Sequence, residues 1–309
     1  MANAPVAIVP VGISTQREVD ALFSDAKHFT ADNTHKAKVA TGVTLEYALH
    51  TLQVDDAEGE ERVMFLMGFM EDKESWAPMV DLIQHQWLTT RQTKNLTMVT
   101  LDNRGCGGSS AGWGYNSTSI MANDALALLD HLGWDKVHII GLSMGGMIAL
   151  ELATMAPQRL RSLSLIVTTR GGFETSGATN FILQTVFTRD QEAILQMTLD
   201  FFYPKEFLAK PLEGSTETVG DVLRRLHKDK MTNMKPQTVG GYVGQTLAIR
   251  THFVSDERLA ALGKAGVPIM VMGCAGDKLI PGVESVKIRD AVGAEHVRLV
   301  YYDKAAHCV

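Results

Sequence analysis

From about residue 38 the chain alternates between short runs that are apolar almost throughout and longer segments whose apolar positions recur every three or four residues. Residues 43–52, 63–69, 96–101, 137–140, 163–167, 268–272 and 297–302 are of the first kind and predict strands, several of them apolar enough to be covered on both faces. Trp76, Met79, Val80, Ile83 and Trp87 fall on one helical face. So do Met121, Ala125, Leu128, Leu129 and Leu132, a helix that should end before Gly133. Strands separated by crossover helices require a mostly parallel sheet, so the expected class is α/β, with helices on both faces of the sheet. The alternation fails between about residues 171 and 256, where 181–187, 194–202, 222–226 and 239–249 predict helices with no strand between them. That stretch is expected to be a helical lid inserted into the core. Residues 1–37 show little periodicity beyond Val19, Leu22 and Phe23 and are expected to form an N-terminal extension with one short helix. No internal repeat or low-complexity segment is present.

Composition narrows the classes of function. Over 309 residues the formal net charge is −6, which offers no basic surface to a phosphate backbone, so no nucleic-acid partner is expected. No stretch approaches the roughly 18 uninterrupted apolar residues of a membrane span, and disorder is a poor reading of a chain that is 45% hydrophobic. Cys106, Cys274 and Cys308 form no CxxC pair and are too scattered for a disulfide framework. The apolar run 6–11 is interrupted by Pro10, preceded by Pro5 and lacks a basic flank, so no signal peptide and a cytoplasmic location are expected. The acceptor patterns at Asn95 and Asn116 then carry no chemistry. Oligomeric state is not readable from the pattern.

The strongest chemical signal is the segment 137–150: a buried strand, the turn Gly141-Leu142-Ser143-Met144-Gly145, then an apolar helix. A serine lifted clear of a sheet needs a sharp, strained turn, and small residues at positions 141 and 145 let neighbouring backbone pass close by. The Met144 amide then sits at a helix N-terminus, suited to an oxyanion forming beside Ser143.

This arrangement resembles the α/β-hydrolase superfamily, over about residues 38–307. The stretch Asp102-Asn103-Arg104-Gly105-Cys106-Gly107-Gly108-Ser109 resembles the loop after the fourth core strand in the esterase and lactonase-like branch, and 66–70 occupies the place of the family's loop after the third strand. The resemblance implies a division into an extension (1–37), a first core part (38–170), the lid (171–256) and a second core part (257–309). It also implies a catalytic triad in the order serine, acid, histidine: Ser143 as nucleophile, Asp277 just past an apolar strand as the acid, and His307 after the last strand as the base. Asp303 is the reserve acid. The oxyanion hole would take amides from Met144 and Phe69. Two departures stand out. Met67 occupies a position where a histidine is common, and the chain ends two residues after His307, where the family usually continues into a helix that covers the sheet. Either the chain is truncated or another element covers that face.

The implied activity is hydrolysis of a small-molecule carboxylic ester, lactone or thioester through an acyl-enzyme, with no cofactor. Carbon–carbon bond hydrolysis and acyl transfer use the same triad, and a hydrolase-fold receptor or inactive scaffold is the alternative from another class. Serine at 143 argues against the epoxide hydrolase and dehalogenase branches, which place aspartate there. Asp102 and Arg104 are expected to tie down a glycine-rich loop, and His138 to be a satisfied core residue. The other histidines show no shared metal-ligand spacing, so no metal is expected. Met64, Met67, Met70 and Met79 read as core packing at least as well as pocket lining. Phe181, Phe187, Phe201, Phe202 and Tyr203 suggest an apolar group under the lid.

Overall fold

In the computed structural model, residues 13–90, 92–111, 115–172, 181, 184, 187–233 and 238–308 are described. The apolar runs become β2 (Thr44–Leu52), β3 (Glu60–Leu66), β4 (Asn95–Leu101), β5 (Val137–Leu142), β6 (Leu160–Ile166), β7 (Ile269–Cys274) and β8 (Val297–Tyr302). Within the expected extension, Thr34–Lys38 adds β1, whose polar sequence gives no strand signal. It is an edge strand held by antiparallel pairing with β2, as in Ala37 opposite Leu45. The eight-stranded sheet runs β1-β2-β4-β3-β5-β6-β7-β8, antiparallel only through β2. This is a mixed, mostly parallel α/β sheet.

Alternation along the strands separates the two faces. Met64, Leu66, Ile139, Leu165 and Val271 join one core with α4 (Thr118–His131), α5 (Met144–Met155), α10 (Asp256–Lys264) and α11 (Val283–Val292). Every residue of α5 from Met144 to Ala153 is buried, which is why that segment has no polar stripe. On the opposite face Val63, Phe65 and Met67 pack with Trp76 and with Val80 of α3 (Ala77–Thr89). Farther along that face Ile140, Leu142, Met270 and Met272 are half-buried, with Ile140 and Leu142 packed against the cluster of Trp76 and Val80. His138 lies on this half-covered face rather than in the core, yet it is satisfied by Ser162 at 2.7 Å and Glu61 at 3.1 Å.

The extension docks on α3. Helices α1 (Gln16–Leu22) and α2 (Asp25–His28) bring Arg17, Lys27 and His28 onto the buried Asp81 carboxylate, with Lys27 at 2.6 Å and His28 at 3.0 Å. Burial alone would raise that carboxyl, but hydrogen bonds from these three residues hold it well below the usual range. The expected run 6–11 lies outside the described residues.

Between β6 and β7 the described residues form helices and two isolated bridges. The helices α6 (Gln191–Phe202), α7 (Lys205–Leu208), α8 (Val219–Asn233) and α9 (Val239–Arg250) precede α10. Of the expected helix 181–187, positions 181, 184 and 187 are helical and the rest lies outside the described residues. Leu195, Leu199, Val219, Val222 and Leu223 build a second core that Val19 of α1 completes and Cys308 borders. The insertion leaves and re-enters at one point, a bridge between Gly171 and Phe253. No helix among the described residues is long and apolar enough to cross a membrane.

His252 closes that neck and gives the fold an acid sensitivity. Its Nε2 donates to the Thr169 carbonyl at 3.2 Å, so Nδ1 is left to accept from the Thr118 hydroxyl at 2.8 Å, and the ring is neutral. Glu151 lies 3.9 Å from Nδ1, but its other oxygen is taken by Arg258 at 2.7 Å. Burial pushes the His252 imidazole down to about 4. Below the ordinary value of about 6.5 the unfolded chain binds a proton that the folded chain refuses, so stability is full above that pH and falls as pH drops towards 4. Urea unfolding of His252→Gln should show a shallower loss of stability between pH 6.5 and 4 than the parent. Parallel curves would assign the acid sensitivity elsewhere.

Candidate active site

Ser143 occupies the single-residue turn between β5 and α5 with φ 55° and ψ −119°. A residue bearing a Cβ holds such a conformation at a cost of about 1–3 kcal/mol, so its surroundings must enforce it. They do: Ser143 N donates to Ile166 O at 2.9 Å, and the Ser143 carbonyl accepts the Thr168 hydroxyl at 2.7 Å and Gly146 N at 2.9 Å. Any side chain at Gly145 would run into the Leu66 carbonyl, which explains the glycine there. Met144 begins α5, and its amide is one of the first N–H groups without an acceptor inside the helix.

The loop after β3 passes beside this turn. A Cβ built on Gly68 would lie 3.4 Å from the Ser143 Cβ, which sets Phe69, the next residue, at the same place. The Phe69 ring packs against Tyr242 of α9 with centroids 5.6 Å apart. Where a histidine is common, Met67 is buried in apolar surroundings, and the bracing comes from Asn103, whose side-chain amide donates to Met67 O at 2.8 Å. Met70 sits at φ 64°, and its N–H donates to Gln245 Oε1 at 3.0 Å. Neither Asn103 nor Gln245 stood out in the sequence. A single glutamine in the otherwise apolar and small-residue run 239–249 was the available signal.

Asp277 lies just past β7 and His307 past β8. Ala275 N donates to Tyr302 O and Gly276 N to Ala305 O, both at 2.9 Å, which lays the tail across the end of β7. There His307 Nδ1 meets Asp277 Oδ2 at 2.7 Å, while Asp277 Oδ1 accepts from the amides of Leu279 at 2.8 Å and Ile280 at 2.9 Å. A carboxylate only accepts, so Nδ1 carries the ring proton and Nε2 presents its lone pair. Asp303, the reserve acid, is exposed on a turn. Ser143 and His307 are 7% and 6% exposed, and among the described residues no direct hydrogen bond joins the Ser143 hydroxyl to the imidazole. Such bonds are commonly long without substrate and tighten when it binds.

Asp102 and Arg104 hold structure, as the pattern implies. Asp102 accepts from Lys73 N at 2.7 Å and Gly108 N at 2.8 Å, and the fully buried Lys73 ammonium lies between Asp102 and Glu46. Arg104 binds both oxygens of Asp124 at 2.6 Å. Cys106 donates to Glu71 O at 3.2 Å, and burial pushes the thiols of Cys274 and Cys308 up to about 12, so both stay protonated at neutral pH. Phe202 stands 6.0 Å from the His307 ring and meets Phe181 and Phe201, whereas Phe187 is 81% exposed. Tyr203 bonds His227 at 3.0 Å and belongs to the second core.

Comparison with known proteins identifies the family of the fold. A family model described as alpha/beta hydrolase fold matches residues 61–309. Among curated proteins, the dihydrolipoyllysine-residue acetyltransferase component of the acetoin cleaving system of Cupriavidus necator is 26% identical over 228 residues. That match covers 74% of this chain and only 54% of the relative. Among solved structures, the enol-lactonase of Burkholderia xenovorans superposes with a TM-score of 0.65 at 19% identity, covering 88% of this chain and 92% of that one. A thermophilic esterase of Thermogutta terrifontis gives 0.62 at 21% identity, covering 89% and 91%.

Proposed function

The chain belongs to the α/β-hydrolase fold family, and from that premise we propose that it is a serine hydrolase acting on carboxylic esters, lactones or thioesters. The observation that carries this reading is the Asp277–His307 hydrogen bond, formed past the carboxyl ends of β7 and β8, the same end of the parallel strands at which Ser143 is held in its strained turn after β5. In this mechanism Ser143 Oγ attacks the carbonyl carbon while His307 Nε2 takes its proton. Asp277 fixes the tautomer and stabilises the imidazolium, and the amides of Phe69 and Met144 hold the tetrahedral oxyanion. His307 returns the proton to the leaving group as the acyl bond breaks. Water, deprotonated by the same nitrogen, then attacks the acyl-enzyme, and His307 passes that proton to Ser143 Oγ as the acyl–Oγ bond breaks and the acid product leaves.

Residues 171–256 serve as the lid, and Phe181, Phe201 and Phe202 form the apolar contact for an acyl or alcohol group beside His307. Names among the similar proteins favour ester and lactone carbonyls, and one is an acetyltransferase component, so an alcohol or thiol could replace water as acyl acceptor.

A fluorophosphonate probe should label Ser143, at a rate that falls at least about a hundred-fold in His307→Ala. Absence of any adduct on the folded wild-type chain would favour a ligand-binding scaffold. Adding acyl acceptors to a p-nitrophenyl acetate assay and identifying the products separates transfer from hydrolysis.

A further inference from the structure

The inserted helix α9 is tied to two loops of the core. Gly241 lies against Gly105 so closely that a Cβ on Gly105 would come within 2.7 Å of the Gly241 Cα. The next residue, Tyr242, packs on Phe69, and one turn on from Gly241 the wholly buried Gln245 reaches between two loops of the core. Its Oε1 accepts from Met70 N at 3.0 Å and its Nε2 donates to Arg104 O at 3.3 Å. The amide orientation is forced, because a backbone N–H can only donate and a carbonyl can only accept. One rigid planar group therefore ties the loop after β3 to the loop after β4.

The peptide between Gly68 and Phe69 is thus clamped from both sides. Upstream, Asn103 holds the Met67 carbonyl at 2.8 Å; downstream, Gln245 holds the Met70 amide. Met70 has φ 64°, a conformation that a side-chain-bearing residue leaves unless something retains it. Losing the downstream tie removes the hydrogen bond that fixes the Met70 amide and lets the Phe69 N–H shift away from the reacting oxygen.

We infer that Gln245 is a positioning residue for the oxyanion hole, so that the hole is complete only while α9 is seated on the core. The inference rests on the serine-hydrolase reading above and adds the source of its oxyanion-loop geometry. Gln245 touches no reacting atom, so its removal should act on the transition state and spare ground-state binding.

The test uses the full chain, p-nitrophenyl acetate as substrate and phenylboronic acid as a tetrahedral mimic. Gln245→Leu should lower kcat about 10- to 100-fold with KM within about twofold, and the boronic acid should weaken in proportion to kcat. Gln245→Glu keeps the acceptor for Met70 N–H but, when ionised, has no proton for the Arg104 carbonyl. Its kcat relative to wild type should rise as pH falls from 8 to 5.5, while that of Gln245→Leu stays flat. Where Gln245→Leu fails to fold, the ratio measured on the glutamate variant decides alone. A leucine variant with unchanged kcat, a loss confined to KM, or a flat glutamate ratio overturns the role of Gln245 while wild-type turnover leaves the hydrolase reading standing. A wild-type chain that neither turns over the ester nor accepts a fluorophosphonate overturns both.

Discussion

Ser143→Ala should lower kcat for p-nitrophenyl acetate by about 10⁶-fold and shift the unfolding midpoint by no more than a few degrees. The size follows from removing the atom that forms the acyl-enzyme, after which only the oxyanion amides and substrate binding remain, and in triad enzymes these retain roughly 10³–10⁴-fold over water. The stability expectation follows from the turn, whose hydrogen bonds to Ile166 and Thr168 use the Ser143 backbone and leave the hydroxyl out. Steady-state kinetics on freshly purified variant would show whether the nucleophile lies elsewhere. Retention of more than about a hundredth of the activity would mean that it does, and the thiols are poor substitutes with Cys274 and Cys308 held protonated.

Asp277→Asn should cost about 10⁴-fold in kcat with little change in KM. The asparagine oxygen can still accept from Leu279 and Ile280, so the turn survives. Its NH₂ then faces His307 Nδ1, which must become the acceptor, and the ring proton moves to Nε2, the atom that has to receive the serine proton. The imidazole stays in place in the wrong tautomer. Asp303→Asn, on its exposed turn, should leave kcat within about twofold, and equal losses from the two substitutions would return the acid to an open question.

The strands that the hydrophobic pattern announced are those buried on at least one face, because burial selects apolar side chains whatever the neighbour. Strand β1 was silent for the opposite reason: Thr34, His35, Lys36 and Lys38 owe their extended form to hydrogen bonds with β2, not to their side chains. The half-buried face of β5 and β7 was equally hidden, since an apolar residue reads the same whether a helix lies over it or not. The second core, where Val19 meets α6 and α8, required the extension and the insertion to fold against each other across nearly two hundred residues.

The same division runs through the candidate site. Ser143 could be read in the chain because everything its turn demands, a strand before it, small residues on either side and a helix after it, lies within a few positions of it. Asp277 and His307 could be named from their places after two strands through the family resemblance, but their 2.7 Å bond depends on a tail folded across the end of β7. Asn103 and Gln245 had no local mark, for a side-chain amide says nothing about which distant peptide it will hold. Short-range stereochemistry leaves a trace in neighbouring residues, whereas hydrogen bonds between distant segments exist only once packing has brought donor to acceptor and excluded the water that would otherwise satisfy both.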